Sequence, residues 1–354
     1  MTHPYSSLPP DAFWKTAVSD RSFFDIQNLW KPKHPFRTEH RFVTFGSCFA
    51  QHLGRALVAH GFNWWNVESG VKAASADVLA KYGYGVFSAR TGNIYTAKAL
   101  RQWVSWAFGH SACPPEVWKL DGRFYDPFRP NIEPHGFASP DELYASREIT
   151  LACLRKAFSR ADVVVFTLGL TEAWEHGSGY VYAGCPGASA GEFLQEIHGF
   201  RNYTHAMVLQ DLRAAIDLIR AQNRNVRFLL TVSPVPLVAT ASDQHVLVAN
   251  THSKSLLRAV AGQCSAEDPA VDYFPSYEIV TAHPYRGAFF DPNLRSVNAN
   301  GVAYVMRHFI EAVLPAQPVP THPKPTAQRT KSSSDIQCEE EMLESFAPLR
   351  TNAR

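Results

Sequence analysis

The feature that most constrains the fold is a short hydrophobic run near the middle of the chain. Residues Val163–Leu168 read Val-Val-Val-Phe-Thr-Leu and directly follow Asp162. A run of this length without polar alternation is typical of a parallel strand that is buried on both faces. Such a strand requires helices on both sides of its sheet, so the run predicts an α/β protein.

Further β-rich runs and helical stripes alternate with this strand along the chain. We predict strands at residues 41–45, 226–232 and 277–280. Apolar spacing predicts helices near residues 49–57, 139–161, 208–219, 256–260 and 302–313. Since crossovers between parallel strands are right-handed, this order predicts a three-layer α/β/α domain with a mainly parallel sheet.

The two ends of the chain differ from this central pattern. Residues 1–35 are rich in Pro, Trp and Phe without a clear period, and we expect them to pack on the body of the protein. Residues 36–314 form the predicted domain. Residues 315–354 contain a Pro-rich run and Ser and Glu runs that cannot bury enough apolar surface, so we predict a disordered tail.

The composition and net charge of the chain bear on its partners and on its location in the cell. The net charge of +2 does not favour a nucleic-acid or membrane-surface partner. No stretch approaches the roughly 18 apolar residues of a membrane span, and the first residues lack a secretory pattern, so we expect a cytoplasmic protein. The six cysteines are scattered without a CxxC pair, so we expect no metal site, no disulfide scaffold and no cofactor. No motif indicates an oligomeric state.

Small and polar residues follow the predicted strands, where open parallel sheets bind their ligands. Gly46 and Ser47 end the first strand just before a helix. Glycine permits a sharp turn there and the helix N-terminus favours an oxyanion, so Ser47 is a candidate nucleophile. The competing interpretation is a turn followed by a helix cap. Cys48 fits better as a small packed hydrophobe than as the nucleophile.

Several segments carry a family resemblance. The segment Phe-Gly-Ser-Cys-Phe-Ala-Gln-His at residues 45–52 resembles the signature of GSCFA-domain proteins, which fall among the SGNH/GDSL-type hydrolases. The resemblance covers most of residues 5–314. It includes the segments at residues 167–172, 231–236, 253–256 and 273–279. It implies an SGNH-hydrolase-like, flavodoxin-like fold, and a small-molecule or glycan ester as substrate.

The resemblance also implies roles for individual residues. Ser47 would be the nucleophile and its backbone N–H, after Gly46, one oxyanion donor. The segment that starts at Gly169 lies where the wider superfamily has GxND, and Thr171 takes the place of the Asn as a weaker donor. The glycine of the second superfamily block has no certain match, and our choice is Gly92 together with Asn93, in the loop at residues 88–95.

The catalytic base is the point where the chain departs from the superfamily. The DxxH block would place its Asp at Asn293 and its His at Ser296, and neither residue can do that work. His245 is our first choice as a substitute, because many family members carry a His in this region. The alternatives are two other histidines and a carboxylate that could orient one, namely His252, His283 and Asp291.

Glu172 and Trp174 follow the central strand and are candidates for substrate binding. A structural alternative pairs Glu172 with Lys254 or Arg295. Trp174, together with Tyr95 and the Trp pair at residues 64–65, could form an aromatic platform for a sugar or an acyl chain. The competing interpretation places these aromatic residues in the core.

The residues and the family resemblance leave two hypotheses about the function of the chain. The first is a serine-dependent acyl esterase or O-acyltransferase on a carbohydrate-type ester, in which Ser47 attacks and His245 takes its proton. The second is a catalytically degenerate glycan-binding or scaffold protein that lacks the DxxH pair. A dinucleotide-binding oxidoreductase is excluded because the loop after the first strand has no GxGxxG. We favour the enzyme because Ser47 and Thr171 retain a plausible oxyanion site.

Overall fold

The computed structural model of the chain describes residues 3–314 and 339–347. The described residues fall into two compact units. The larger unit contains residues 38–273 and 339–347, and the smaller unit contains residues 3–37 and 274–314.

The regular elements alternate along the described part of the chain. The strands are β1 (Phe42–Gly46), β2 (Trp118–Leu120), β3 (Arg123–Tyr125), β4 (Val163–Leu168), β5 (Glu172–His176), β6 (His198–Asn202), β7 (Arg227–Val232) and β8 (Val271–Tyr273). The α-helices are α1 (Phe49–Ala59), α2 (Ala76–Lys81), α3 (Ala97–Ala107), α4 (Pro140–Arg160), α5 (His205–Gln222), α6 (Val246–Glu267), α7 (Ser276–Thr281) and α8 (Ala299–Val313).

A four-stranded parallel sheet lies at the centre of the larger unit, with strand order β1-β4-β7-β8. In the register of this sheet, Val165 of β4 pairs with Thr44 on one side and with Leu229 on the other. Every residue of β1 and β4 is buried, because helices cover the sheet. The predicted three-layer α/β/α class with a mainly parallel sheet is therefore confirmed.

One predicted strand is wrong. Residues 277–280 lie in helix α7, and the last strand of the sheet is the preceding segment, β8. β8 has only three residues with a carboxylate, Asp272, in the middle, so it shows no apolar run. Ile279 and Val280 are buried in α7, where tertiary packing overrides the β propensity of these branched residues.

Two antiparallel hairpins lie outside the parallel sheet, β2-β3 and β5-β6. β5 begins at Glu172, four residues after the end of β4, and Trp174 pairs with Phe200 of β6. The segment after the central strand, which we expected to be a loop, is therefore the start of a hairpin inserted between β4 and α5.

Aromatic contacts hold the smaller unit together. The ring of Trp30 stacks on Phe309 of α8, with centroids 5.6 Å apart, and meets Phe274 edge-on at 5.0 Å. The hydroxyl of Tyr304 donates a 2.8 Å hydrogen bond to the carbonyl of Phe23. Within this unit, the N-terminal segment therefore packs on residues from the C-terminal part of the domain.

Most of the predicted disordered tail lies outside the described residues, namely residues 315–338 and 348–354. Between these stretches, Glu339–Phe346 forms a 3-10 helix, so this part of the predicted tail has regular structure. None of the helices described is both long enough and apolar enough to cross a membrane. The cysteines within the described residues form no disulfide bonds with one another.

His308 in the smaller unit predicts an acid-sensitive stability. The residue is only 4% exposed in α8 and its ring lies edge-on to Tyr304. Burial, together with the charge of Arg307, lowers the pKa of His308 from 6.5 to about 4. Below pH 6.5 the imidazole of His308 is therefore protonated in the unfolded chain but stays neutral in the folded chain. The free energy of unfolding consequently falls as the pH drops toward 4.

The measurement is the free energy of unfolding by urea across this pH range, for the wild type and for His308→Gln. We expect the wild type to lose up to about 3 kcal/mol more than the variant, at about 1.4 kcal/mol per pKa unit. His283→Gln is the matched control, because His283 is an exposed histidine of the same unit. Equal pH dependence of the wild type and His308→Gln would contradict the prediction.

Candidate functional site

Gly46 and Ser47 form a tight turn where β1 ends. Gly46 has a φ of +133°, which a residue with a side chain rarely adopts. Its carbonyl accepts a 2.8 Å hydrogen bond from the N–H of Ile94, and the N–H of Ser47 donates to the carbonyl of Thr167 at 3.0 Å. The turn is therefore held between the end of β4 and the loop at residues 88–95.

The side chain of Ser47 is enclosed but has no polar partner. Ser47 is 1% exposed, and its Oγ has no hydrogen bond within the described structure. A Cβ added to Gly169 would lie 2.9 Å from the Cβ of Ser47, so only glycine fits at that position. An orphaned buried hydroxyl costs free energy and therefore calls for an explanation.

Two of the expected oxyanion donors are engaged in other hydrogen bonds. The N–H of Ser47 bonds the Thr167 carbonyl, so in this structure it does not point to a substrate, contrary to the expectation above. The hydroxyl of Thr171 donates to Oδ1 of Asn202 at 2.8 Å, and its N–H donates to Oγ of Ser253 at 3.2 Å. Thr171 thus joins the turn after β4 to β6 and α6.

Asn93 lies beside the Ser47 turn. The next residue, Ile94, donates its N–H to the Gly46 carbonyl, and Asn93 is buried. Nε2 of Gln51 in α1 lies 3.4 Å from Oδ1 of Asn93. Gly92, with a φ of +65°, provides the turn that brings this loop back to β1.

The candidate bases do not contact Ser47 in this structure. His245 is exposed and caps α6, with its Nδ1 accepting a hydrogen bond from the N–H of Leu247 at 3.2 Å. His252 is exposed on the same helix. However, Val246 packs against an apolar cluster that contains Cys48, so His245 is one residue away from the neighbours of Ser47.

The segments expected to supply the DxxH pair and a third histidine lie in the smaller unit. Nδ2 of Asn293 donates to Oγ of Ser296 at 2.9 Å, and the N–H of Asp291 donates to the Ser296 carbonyl. These contacts form a local turn. His283 is exposed and stacks on Trp14, with centroids 5.3 Å apart.

Glu172 and Trp174 project from β5 toward a cavity. Glu172 accepts a 2.7 Å hydrogen bond from Oγ1 of Thr240, and burial raises the pKa of its carboxyl against the opposing effect of that bond. The ring of Trp174 meets those of Phe193 and Phe200 at 5.2 and 5.6 Å. Both Glu172 and Trp174 line the cavity.

This cavity in the larger unit has a volume of about 170 Å³. Its polar lining includes Asn93, Glu172 and Gln102, whereas Ser47 does not reach its surface. Two residues of the C-terminal 3-10 helix, Glu340 and Leu343, also line it. Six of its lining residues are aromatic: Tyr95, Trp103, Phe128, Trp174, Tyr182 and Phe200.

The Trp pair of the proposed aromatic platform lies elsewhere. Nε1 of Trp64 donates to Oγ1 of Thr44 in β1, and the guanidinium of Arg41 lies 5.8 Å from the ring of Trp65. Neither Trp64 nor Trp65 is among the residues that line the cavity. Of the four aromatic residues proposed as a platform, Tyr95 and Trp174 line the cavity and the Trp pair does not.

A buried ionic network supports one wall of the cavity, and sequence reasoning missed it. Asp126 bonds Nε of Arg129 at 2.8 Å and Nη2 of Arg147 at 2.9 Å, with all three side chains almost fully buried. Nη1 of Arg129 also donates to the carbonyl of Arg90, which belongs to the loop that carries Asn93. The signal available in the sequence was the presence of two charged residues, Asp126 and Arg129, close to the apolar Phe128.

Sequence reasoning also missed how α6 holds the turn after β4, since it gave Ser253 no role and Lys254 only a structural pairing with Glu172. Ser253 and Lys254 both bond the turn after β4, and both are buried. The only signal was the family-like segment at residues 253–256. Across residues 3–314 and 339–347, no three His, Cys, Asp or Glu side chains come together in a group that could hold a metal ion.

Comparison with known protein families gives a match over most of the chain. A model of the GSCFA family matches residues 41–309, roughly three quarters of the chain. The matched range contains strands β1 and β4, whose ends lie next to Ser47, the hairpin that carries Trp174 and the whole of α6. A search of curated proteins finds no significant match to the chain.

Proposed function

Since this chain belongs to the GSCFA family, we propose that it is a serine-dependent acyl esterase or O-acyltransferase whose nucleophile is Ser47. The observation that carries the proposal is the orphaned, buried hydroxyl of Ser47 at the carboxyl edge of a parallel sheet. The strand–Gly–Ser–helix arrangement around it also supports our placing the family among the SGNH-type hydrolases.

In the proposed reaction, Oγ of Ser47 attacks the acyl carbon of an ester while its proton passes to a base. The alcohol then leaves, and water or an acceptor hydroxyl releases the acyl group from the serine. Helix α1 begins at Phe49, so the N-terminus of this helix favours the negative charge on the acyl oxygen. The amide of Asn93 is our second candidate for that role, because it lies beside the same turn.

His245 remains our proposed base. It is placed at the start of α6, next to Val246, which packs on the cluster that contains Cys48. Nδ1 of His245 accepts the N–H of Leu247 in this structure, so the imidazole must give up this cap contact before that nitrogen can accept the proton of Ser47. Active-site hydrogen bonds often tighten only when substrate binds.

The cavity favours a carbohydrate-type ester as substrate. Aromatic faces such as those of Trp174 and Tyr95 suit the C–H faces of a sugar or an acyl chain, and Glu172 and Gln102 offer groups for hydroxyls. We propose a small-molecule or glycan ester in the cytoplasm as substrate, with no nucleic-acid or membrane partner.

The first test is covalent labelling of Ser47 by a fluorophosphonate, read by intact-mass spectrometry, with hydrolysis of p-nitrophenyl acetate alongside. We expect labelling of the wild type and none of Ser47→Ala, because no other residue is proposed to attack. Hydrolysis should fall by about 10³-fold or more in Ser47→Ala and by about 10²-fold in His245→Ala. His110→Ala is the matched control, since His110 is an exposed histidine that is not a candidate for the base. A loss of hydrolysis in His252→Ala but not in His245→Ala would move the role of base to His252.

A second candidate function is glycan binding without turnover. The observation that favours it is that no imidazole in the described residues bonds Ser47, whose side chain is enclosed. Folded wild-type protein that is neither labelled nor active would reject the enzyme. Saccharide binding that is lost in Trp174→Ala would then establish the second function, because Trp174 lines the cavity.

A further inference from the structure

Lys254 is a buried charged residue that the proposed reaction does not use. It lies in α6, is 1% exposed, and donates a 2.7 Å hydrogen bond from Nζ to the carbonyl of Gly169. Lysine is almost never fully buried in proteins unless its charge is compensated. The hydrogen bond from this ammonium to a main-chain carbonyl at the edge of the sheet ties α6 to the turn after β4.

The neighbouring residue of α6 bonds the same turn. Oγ of Ser253 accepts a hydrogen bond from the N–H of Thr171. Two consecutive residues of α6 therefore hold this turn, Lys254 at Gly169 and Ser253 at Thr171. From the opposite side, the carbonyl of Tyr95 accepts the N–H groups of Gly169 and Leu170, at 2.9 and 3.1 Å. The turn is therefore fixed between α6 and the loop that carries Asn93.

This turn forms the surface against which Ser47 packs. A Cβ on Gly169 would lie 2.9 Å from the Cβ of Ser47, which shows how closely the two residues approach. A shift of the Gly169 backbone by a fraction of an ångström therefore changes the space that the Ser47 side chain occupies. The bond from Lys254 is charge-assisted, and such bonds are stronger than those between neutral groups.

We propose that Lys254 is a positioning residue for Ser47, acting through the carbonyl of Gly169. The proposal rests on the proposed function for its effect on chemistry, because Ser47 is there the nucleophile. It extends that function by assigning the buried lysine of α6 to the reactive serine, without contact between Lys254 and the substrate.

The test compares Lys254→Met, which keeps the length of the side chain but removes the donor, with Lys254→Arg, which keeps charge and donors. The first readout is the rate of fluorophosphonate labelling at Ser47 as a function of probe concentration. We expect Lys254→Met to lower the maximal rate by about 10- to 100-fold with little change in half-saturating concentration. Lys254→Arg should recover most of that rate.

The second readout is hydrogen exchange of the peptide that covers residues 168–172, which does not depend on any reaction at Ser47. We expect faster exchange in Lys254→Met and near wild-type exchange in Lys254→Arg. Lys156→Met is the matched control, because Lys156 is an exposed lysine on helix α4. If Lys254→Met does not fold, Ser253→Ala takes its place, with an expected loss of labelling of about tenfold.

The two readouts separate the two proposals. No labelling of the wild type would reject the proposed function, and hydrogen exchange would still decide whether Lys254 fixes the turn. Labelling of Lys254→Met at the wild-type rate would overturn the positioning role while leaving the proposed function standing. If residues 168–172 exchange hydrogen at the same rate in Lys254→Met as in the wild type, the positioning role of Lys254 is overturned as well.

Discussion

Replacement of Gly46 by alanine is expected to abolish folding of the larger unit. The new Cβ would lie 2.4 Å from the carbonyl oxygen of Thr167 and 2.6 Å from its nitrogen. Both atoms belong to the backbone of the central strand, which cannot move without breaking its pairing with both neighbours. The φ of +133° at Gly46 adds strain of its own for any residue with a side chain.

We expect the cost to exceed about 4 kcal/mol, a value that single substitutions rarely reach. The measurement is urea unfolding followed by near-ultraviolet circular dichroism, with soluble yield as a first indication. Gly61→Ala is the matched control, since Gly61 also has a positive φ but has no atom within 4 Å of an added Cβ. It should cost about 1 to 2 kcal/mol. Equal costs at the two positions would mean that the close approach to Thr167 is unimportant.

Removal of the carboxylate of Asp126 is expected to have the second largest effect. Burial alone would raise the pKa of this carboxyl, but the charges of Arg129 and Arg147 outweigh burial and lower the pKa. Asp126 is therefore ionised and bonded by two buried guanidinium groups. In Asp126→Asn the shape is kept, yet two buried positive charges lose their common partner.

Breaking a buried ion pair by removing one partner costs about 3 to 5 kcal/mol, because the remaining charge stays uncompensated. We expect Asp126→Asn to lower the free energy of unfolding by that amount, measured with urea at neutral pH. Asp121→Asn is the control, because Asp121 is exposed in the turn of the β2-β3 hairpin. A loss below about 1 kcal/mol in Asp126→Asn would show that Arg129 and Arg147 find other partners.

The parallel sheet was predictable because its strands are buried on both faces. Val163–Leu168 and the segment at residues 228–232 are apolar apart from one threonine each, which is typical of strands covered on both faces. β8 escaped the same reasoning because it has three residues and a carboxylate at its centre. Its place in the sheet depends on pairing with β7, which a local pattern does not encode.

The position of Ser47 was predictable for a topological reason. β1 and β4 are parallel neighbours, so the residues that follow them, Ser47 and Gly169, meet at one edge of the sheet. The orientation of His245 was not predictable, because it depends on whether the imidazole caps its own helix. The partners of Asp126 were not predictable either, since its pairing with Arg147 of α4 is a tertiary contact that no local pattern encodes.

The smaller unit is built from both ends of the domain, which affects the order of events during synthesis. Trp30 leaves the ribosome well before Phe274 and Phe309, which pack on it, have been synthesised. At about 5 to 20 residues per second, the delay between these segments is roughly 10 to 50 s. Residues 38–273 can form their sheet within that interval. Throughout it, Trp30 lacks these partners, so the smaller unit completes its aromatic core only after the strands of the parallel sheet have been synthesised.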